Sequence, residues 1–235
     1  MTAESVARFS CVAIVPAGGS GARFGSVTPK QYSMIAGKTV LEHTLIALKK
    51  CAKIERIFVN VRHDDANAEA VVSTYANVSL LRSAGATRAE TVHNAMLDIS
   101  KQVRRDAWVL VHDAARPCVS AADLDRLVAL AGAHPVGGLL AVPVADTLKR
   151  GNGDGEVTET VPREGMWRAQ TPQMFRYETL LHALAASPDV TDEAQAMEAL
   201  GLSPLLVAGS ARNIKITQPE DAELAAYYLS LQAPS

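Results

Sequence analysis

The chain of 235 residues is 48% hydrophobic and 20% charged with a formal net charge of −2, a composition that fits a folded globular protein and leaves no basic excess for nucleic acid. Its three cysteines, Cys11, Cys51 and Cys118, lie far apart in apolar sequence, and its six histidines lack H-x-x-x-H spacing, which argues against a disulfide framework and a zinc site. No run approaches the roughly 18 apolar residues that cross a bilayer and no export signal opens the chain, so the expectation is one cytoplasmic α/β domain over 1–235 without a membrane partner.

Cys11 to Val15 is a short β-branched run bounded by Pro16, the pattern of a buried parallel strand. It opens into a loop at 17–31 that carries Gly18, Gly19, Gly21, Arg23 and Lys30, where bare backbone N–H groups and cations can converge on a phosphate chain. The spacing is neither of two better-known phosphate motifs. Gly19, Gly21 and Gly25 have one residue too many for a dinucleotide fingerprint, and Gly37-Lys38-Thr39 would need glycine where Tyr32 stands to complete a P-loop.

Thr39 caps a predicted helix from Val40 to about Cys51, followed by a strand at Arg56 to Val61. A helix is expected over His63 to Tyr75, a strand over Val78 to Leu81, a helix over Ala86 to Gln102 beginning near Thr87, and a strand over Trp108 to Val111. Asp123 to Ala131 reads as a helix and Gly138 to Val142 as a strand. Val144 to Gln170 then alternates around Gly151-Asn152-Gly153-Asp154-Gly155, the pattern of a hairpin arm. Helices are expected at Arg176 to Ala186 and at Asp192 to Leu200, the latter capped by Thr191. Late strands are expected at Leu205 to Val207 and Asn213 to Thr217, and a final helix opens at Pro219.

This alternation predicts a Rossmann-like, doubly wound, mostly parallel sheet with a protruding β-hairpin arm. Ligands bind beyond the C-terminal ends of such strands, which places the 17–31 loop, the Ser83 to Arg88 turn and His112 to Pro117 on one rim. Asp113 could hold a hydroxyl or approach a metal there, and Arg116 could grip a phosphate. Lys215, between Ile214 and Ile216, points away from both if the segment is a strand, and becomes a second cation if that face is the rim.

The order of P-A-G-G-S-G-A-R-F-G, P-K-Q-Y, H-D-A-A-R-P, D-T-L-K, T-D-E-A and N-I-K-I-T resembles the cytidylyltransferases that act on 2-C-methyl-D-erythritol 4-phosphate. That resemblance implies a Mg²⁺-dependent transfer of CMP from CTP to the substrate phosphate, in a homodimer whose arms, here 144–170, interlock. By motif, it assigns the transition-state charge to Arg23 and Lys30, and the incoming phosphate to Arg163 and Lys215. CTP is assigned to Ala17, Gly18, Gly19, Gly21, Arg23, Lys30, Gly85, Thr91 and Asp113. The polyol phosphate is assigned to Asp113, Arg116, Thr147, Arg163, Thr171 and Lys215. The run Ala84-Gly85-Ala86-Thr87-Arg88 departs from the family's paired glycines and acidic residue, so cytosine preference has to rest largely on backbone groups.

Three other functions compete. A ribitol 5-phosphate cytidylyltransferase has closely similar motifs. A nicotinamide-dependent dehydrogenase is disfavoured by the glycine spacing and by Asn60 and Arg62 where its ribose-binding acid would stand. A non-catalytic nucleotide-binding module would have no use for Lys30, Arg163 and Lys215 together.

Overall fold

The computed structural model describes residues 10–19 and 29–232. A seven-stranded sheet runs through it, and its strands in chain order are β1 (Cys11–Pro16), β4 (Arg56–Asn60), β5 (Val78–Leu81), β6 (Trp108–Val111), β7 (Gly137–Pro143), β10 (Trp167–Arg176) and β11 (Leu205–Ala208). Two short strands, β2 (Met34–Ile35) and β3 (Lys38–Thr39), form a separate pair, as do β8 (Leu148–Gly151) and β9 (Val157–Val161). The spatial order is β11-β7-β10-β6-β1-β4-β5, with β10 antiparallel to both neighbours and every other pairing in the large sheet parallel.

The period of two in β1 divides the core. Cys11, Ala13 and Val15 face the cluster built with Leu41, Leu45 and Leu48 of α1 (Val40–Lys49) and Leu124 and Leu127 of α4 (Ala121–Ala133). Val12 and Ile14 face the opposite cluster, with Val92 and Met96 of α3 (Arg88–Asp98), Leu180 of α5 (Tyr177–Ala186) and Met197 of α6 (Glu193–Ala199). Strands apolar on both faces need helices on both, so the doubly wound expectation holds. α1 starts where the sequence places it: Thr39 accepts from the Glu42 N–H, and the Glu42 carboxylate accepts from the Thr39 N–H.

Four expectations are corrected. α2 covers only Ala68–Val72, because the Asp65 carboxylate accepts from the N–H groups of Asn67 and Ala68 and holds the preceding chain in a turn. α6 is capped by Asp192, whose side chain accepts from the Gln195 N–H, while Thr191 donates to the Gln195 side chain. Asn213 to Thr217 is not a strand; side chains and single backbone contacts hold it. Arg116 donates to the Asn213 carbonyl, Asn213 donates to the Thr171 carbonyl, and Asp221 of α7 (Glu220–Ser230) accepts from Thr217.

The fourth correction is β10, whose first residues the sequence gives to the arm and whose last to the next helix, with 171–175 assigned to neither. Pro172 and three buried polar residues, Gln170, Thr171 and Gln173, interrupt any apolar alternation, and the register with β7 shifts between Ala169 and Gln173. The arm itself is present as β8 and β9. Arg150 pairs with Glu159 at 2.9 Å, and Asn152 closes the turn by accepting from the N–H groups of Asp154 and Glu156.

Candidate active site

The C-terminal ends of neighbouring parallel strands meet around a cavity of about 190 Å³. Residues 16–19 enter it from β1, residues 85–88 from beyond β5, and residues 113–115 from beyond β6; Lys30, Gln31, Thr91 and Lys215 close it. Gln31 donates to the Ala17 carbonyl at 3.0 Å, fixing the turn that carries Lys30, and Lys30 Nζ donates to the Ile216 carbonyl at 3.1 Å.

The 84–87 loop is tightly pinned. The Gly85 N–H donates to Thr91 Oγ1, the Ala86 N–H donates to the Glu90 carboxylate, and the Ala84 N–H donates to the Val61 carbonyl. Buried Asn60, at the end of β4, donates to the Thr91 carbonyl and accepts from the Ser83 N–H, so the loop and α3 are joined through one side chain. A Cβ on Gly18 would stand 2.5 Å from that of Ala84, so the two loops touch only because one is bare there.

Asp113 lies at the centre, 7% exposed. Arg88 Nε reaches its Oδ1 at 2.9 Å, Lys215 Nζ its Oδ2 at 2.9 Å, and Arg116 Nε approaches Oδ2 at 3.5 Å. Burial would raise this carboxyl, but Arg88, Lys215 and Arg116 together hold it well below the usual carboxylate range. Arg88 in turn grips Glu193 with two guanidinium nitrogens, at 2.7 and 3.0 Å.

A second cavity of about 160 Å³ lies behind the first, lined by Arg116, Ala169, Gln170, Thr171, Gln173, Thr191 and Asp192, and it shares Arg88, Asp113 and Lys215 with the first. Those three residues form a common wall. Thr171 Oγ1 accepts from the Asp113 N–H, which leaves its own proton for His112 Nδ1; His112 Nε2 then donates to the Arg116 carbonyl. Burial lowers the His112 pKa to about 4, so the ring is neutral at pH 7 and braces the rim.

Ala17, Gly18, Gly19, Lys30, Gly85, Thr91, Asp113 and Lys215 line the first cavity, and Asp113, Arg116, Thr171 and Lys215 line the second. Gly21 and Arg23 lie outside the described residues. Thr147 and Arg163 line neither cavity: both are exposed at the base of the arm, where Arg163 donates to the Ala145 carbonyl. The sequence does not single out Arg88 and Glu193 as an ion pair. One signal for Arg88 exists, since a cation in the first turn of a helix opposes the helix dipole and needs another reason to be there.

The carboxylates do not form a metal cage. Both Asp113 oxygens face cations, Glu193 is occupied by Arg88, and among the described residues no cluster of three His, Cys, Asp or Glu side chains could hold an ion. Asp113 and the cations around it can grip anions and hydroxyls, while the one histidine at the rim is buried and fully used.

The family model described as IspD, 2-C-methyl-D-erythritol 4-phosphate cytidylyltransferase, matches residues 11–231. A relative from Dechloromonas aromatica bearing that enzyme name is 51% identical over 219 residues, 92% of this chain and 96% of its own length. Another so named, from Vibrio parahaemolyticus, is 48% identical over 226 residues, 94% of this chain and 96% of its own. Among solved structures, a 4-diphosphocytidyl-2C-methyl-D-erythritol synthase superposes with a TM-score of 0.86 at 42% identity, covering 94% of this chain and 99% of that one. The Francisella tularensis 2-C-methyl-D-erythritol 4-phosphate cytidylyltransferase gives 0.80 at 33% identity, covering 93% and 99%.

Proposed function

The chain belongs to the 2-C-methyl-D-erythritol 4-phosphate cytidylyltransferase family, and from that premise we propose how its two cavities carry out the reaction. The enzyme transfers CMP from CTP to 2-C-methyl-D-erythritol 4-phosphate, releasing pyrophosphate and forming 4-diphosphocytidyl-2-C-methyl-D-erythritol. The wall shared by the two cavities carries this reading: Arg88, Asp113 and Lys215 face both, so a molecule in one cavity lies against the same side chains as a molecule in the other. CTP takes the first cavity, its base at Gly85 and Thr91 and its phosphates at Ala17, Gly18, Gly19 and Lys30, joined by Gly21 and Arg23. The polyol phosphate takes the second, with its hydroxyls at Asp113 and Thr171 and its phosphate at Arg116 and Lys215.

The chemistry asks little else of the protein. A phosphate monoester with a second pKa of about 6 is largely dianionic at pH 7, so the attacking oxygen needs no general base. Two polyanions must instead be held in line against their repulsion, and the charge gathering on the α-phosphorus must be offset. Lys30, Arg23 and Lys215 supply that offset. Mg²⁺, carried by the triphosphate and not caged by protein carboxylates, supplies further neutralisation. Thr147 and Arg163 come from the partner subunit's arm in a homodimer, which gives the exposed hairpin its place. The enzyme works in the cytoplasm; among the described residues no helix is long and apolar enough to cross a membrane.

The test is pyrophosphate release from CTP and Mg²⁺ with 2-C-methyl-D-erythritol 4-phosphate or ribitol 5-phosphate. Turnover with the first is expected. Turnover with ribitol 5-phosphate alone would overturn the choice of substrate, and release with neither would overturn the reaction.

A further inference from the structure

Glu193 is a carboxylate with no exposure, and it lines neither cavity. Its two oxygens accept from Arg88 Nη1 at 2.7 Å and Nη2 at 3.0 Å, the pattern of an ionised carboxylate facing a guanidinium fork. The remaining guanidinium nitrogen, Nε, donates to Asp113 Oδ1 at 2.9 Å. One rigid planar group is therefore clamped at one end and holds a carboxylate of the site at the other.

Both ends of this chain of contacts are fastened to β10. Thr171 accepts from the Asp113 N–H, and two residues on, the Gln173 amide accepts from the Ala194 N–H and donates to Asp192, on either side of Glu193. Stability is a poor reason for such an arrangement, because a buried ion pair of this kind is commonly no better than apolar packing of the same volume. Its specific product is geometry. With Lys215 and Arg116 both on the Oδ2 side, Arg88 alone among the described residues fixes Oδ1, and so the rotation of the carboxylate about its own axis.

We propose that Glu193 is a positioning residue, which acts through Arg88 to set the orientation of the Asp113 carboxylate toward the hydroxyls of the polyol phosphate. This rests on the assignment of Asp113 to that substrate in the preceding reading.

The experiment measures pyrophosphate release by the full-length chain while each substrate is varied in turn. A wild-type protein that releases no pyrophosphate would sink the cytidylyltransfer reading itself and is distinguishable from every outcome below. With an active wild type, Glu193→Gln is expected to raise KM for the polyol phosphate roughly tenfold to a hundredfold, the range seen when an outer partner that orients a ligating group is lost. The kcat at saturation should move by less than about threefold. Glu193→Asp keeps the charge but is too short to hold both guanidinium nitrogens in place; it is expected to show the same split and serves if the glutamine variant does not fold.

Two results would overturn the proposal. A lower KM for the polyol phosphate in Glu193→Gln would mean that Glu193 acts only through its charge, whose removal makes the site more attractive to anions. An unchanged KM with a lower melting temperature would mean that it acts only on stability. Combining Glu193→Gln with Asp113→Asn should raise KM no further than Asp113→Asn alone, since one residue acts through the other, and independent effects would likewise count against it.

Discussion

Lys30 shows how much a single side chain depends on distant sequence. The P-K-Q-Y run identifies it, but its amine is placed by the carbonyl of Ile216, and the turn beneath it is held by Gln31 on Ala17. If the charge on Lys30 offsets the transition state, Lys30→Ala lowers kcat by about a hundredfold or more with the fold intact, the scale of one lost oxyanion donor. Near-normal turnover would remove Lys30 from the chemistry. Asp113 and Arg116 were legible as candidates because charged residues stood at the end of an apolar run, and Lys215 because a charge interrupted one between Ile214 and Ile216. The Arg88 to Glu193 pair was not, because its members are 105 residues apart, Glu193 has an ordinary local explanation in the first turn of a helix, and nothing near Arg88 in the chain names its partner.

Elements with a clean period were readable. β5 and β6 fall where their apolar runs predict them, and α1 and α3 start at the threonines that cap them. β10 failed for a functional reason: a strand that must present Gln170, Thr171 and Gln173 to a cavity cannot also keep the alternation by which strands are recognised. The arm was readable from its glycines, and it makes the dimer testable. A two-stranded ribbon alone is marginal in water, and here Val157 on the arm is 64% exposed and Met166 at its base 44%. Sedimentation at micromolar concentration should give a dimer, and Val157→Asp should shift it toward monomer and lower turnover with it. A wild type that stays monomeric while fully active would refute the assignment of Thr147 and Arg163 to the partner subunit's site.

The whole molecule carries the electrical cost of its rim. His112 has an ordinary pKa of 6.5 and a folded value of about 4, so between those values the unfolded chain binds a proton that the native protein refuses. Stability therefore falls as the pH falls from 6.5 to 4, by about 1.4 kcal/mol per unit from this group, and is flat in this respect above 6.5. Urea unfolding across that range should show the slope, and His112→Gln should flatten it even if the variant is less stable throughout. A slope unchanged by the substitution would mean that the acid sensitivity lies elsewhere. The doubly wound architecture was legible at this scale from the order of apolar runs alone; the position of the one reversed strand was not, because topology within a sheet depends on partners far away in the chain.

That reversed strand also sets a timetable. β6 is complete at residue 111, yet its second neighbour ends at residue 176, and the β7 and β11 half of the sheet touches the rest of it only through β10. While the ribosome makes the intervening chain, the nascent protein has four parallel strands in sequence and an open edge on β6, the kind of edge that recruits other chains. The strand that later lines the second cavity is the one whose arrival ends that exposure.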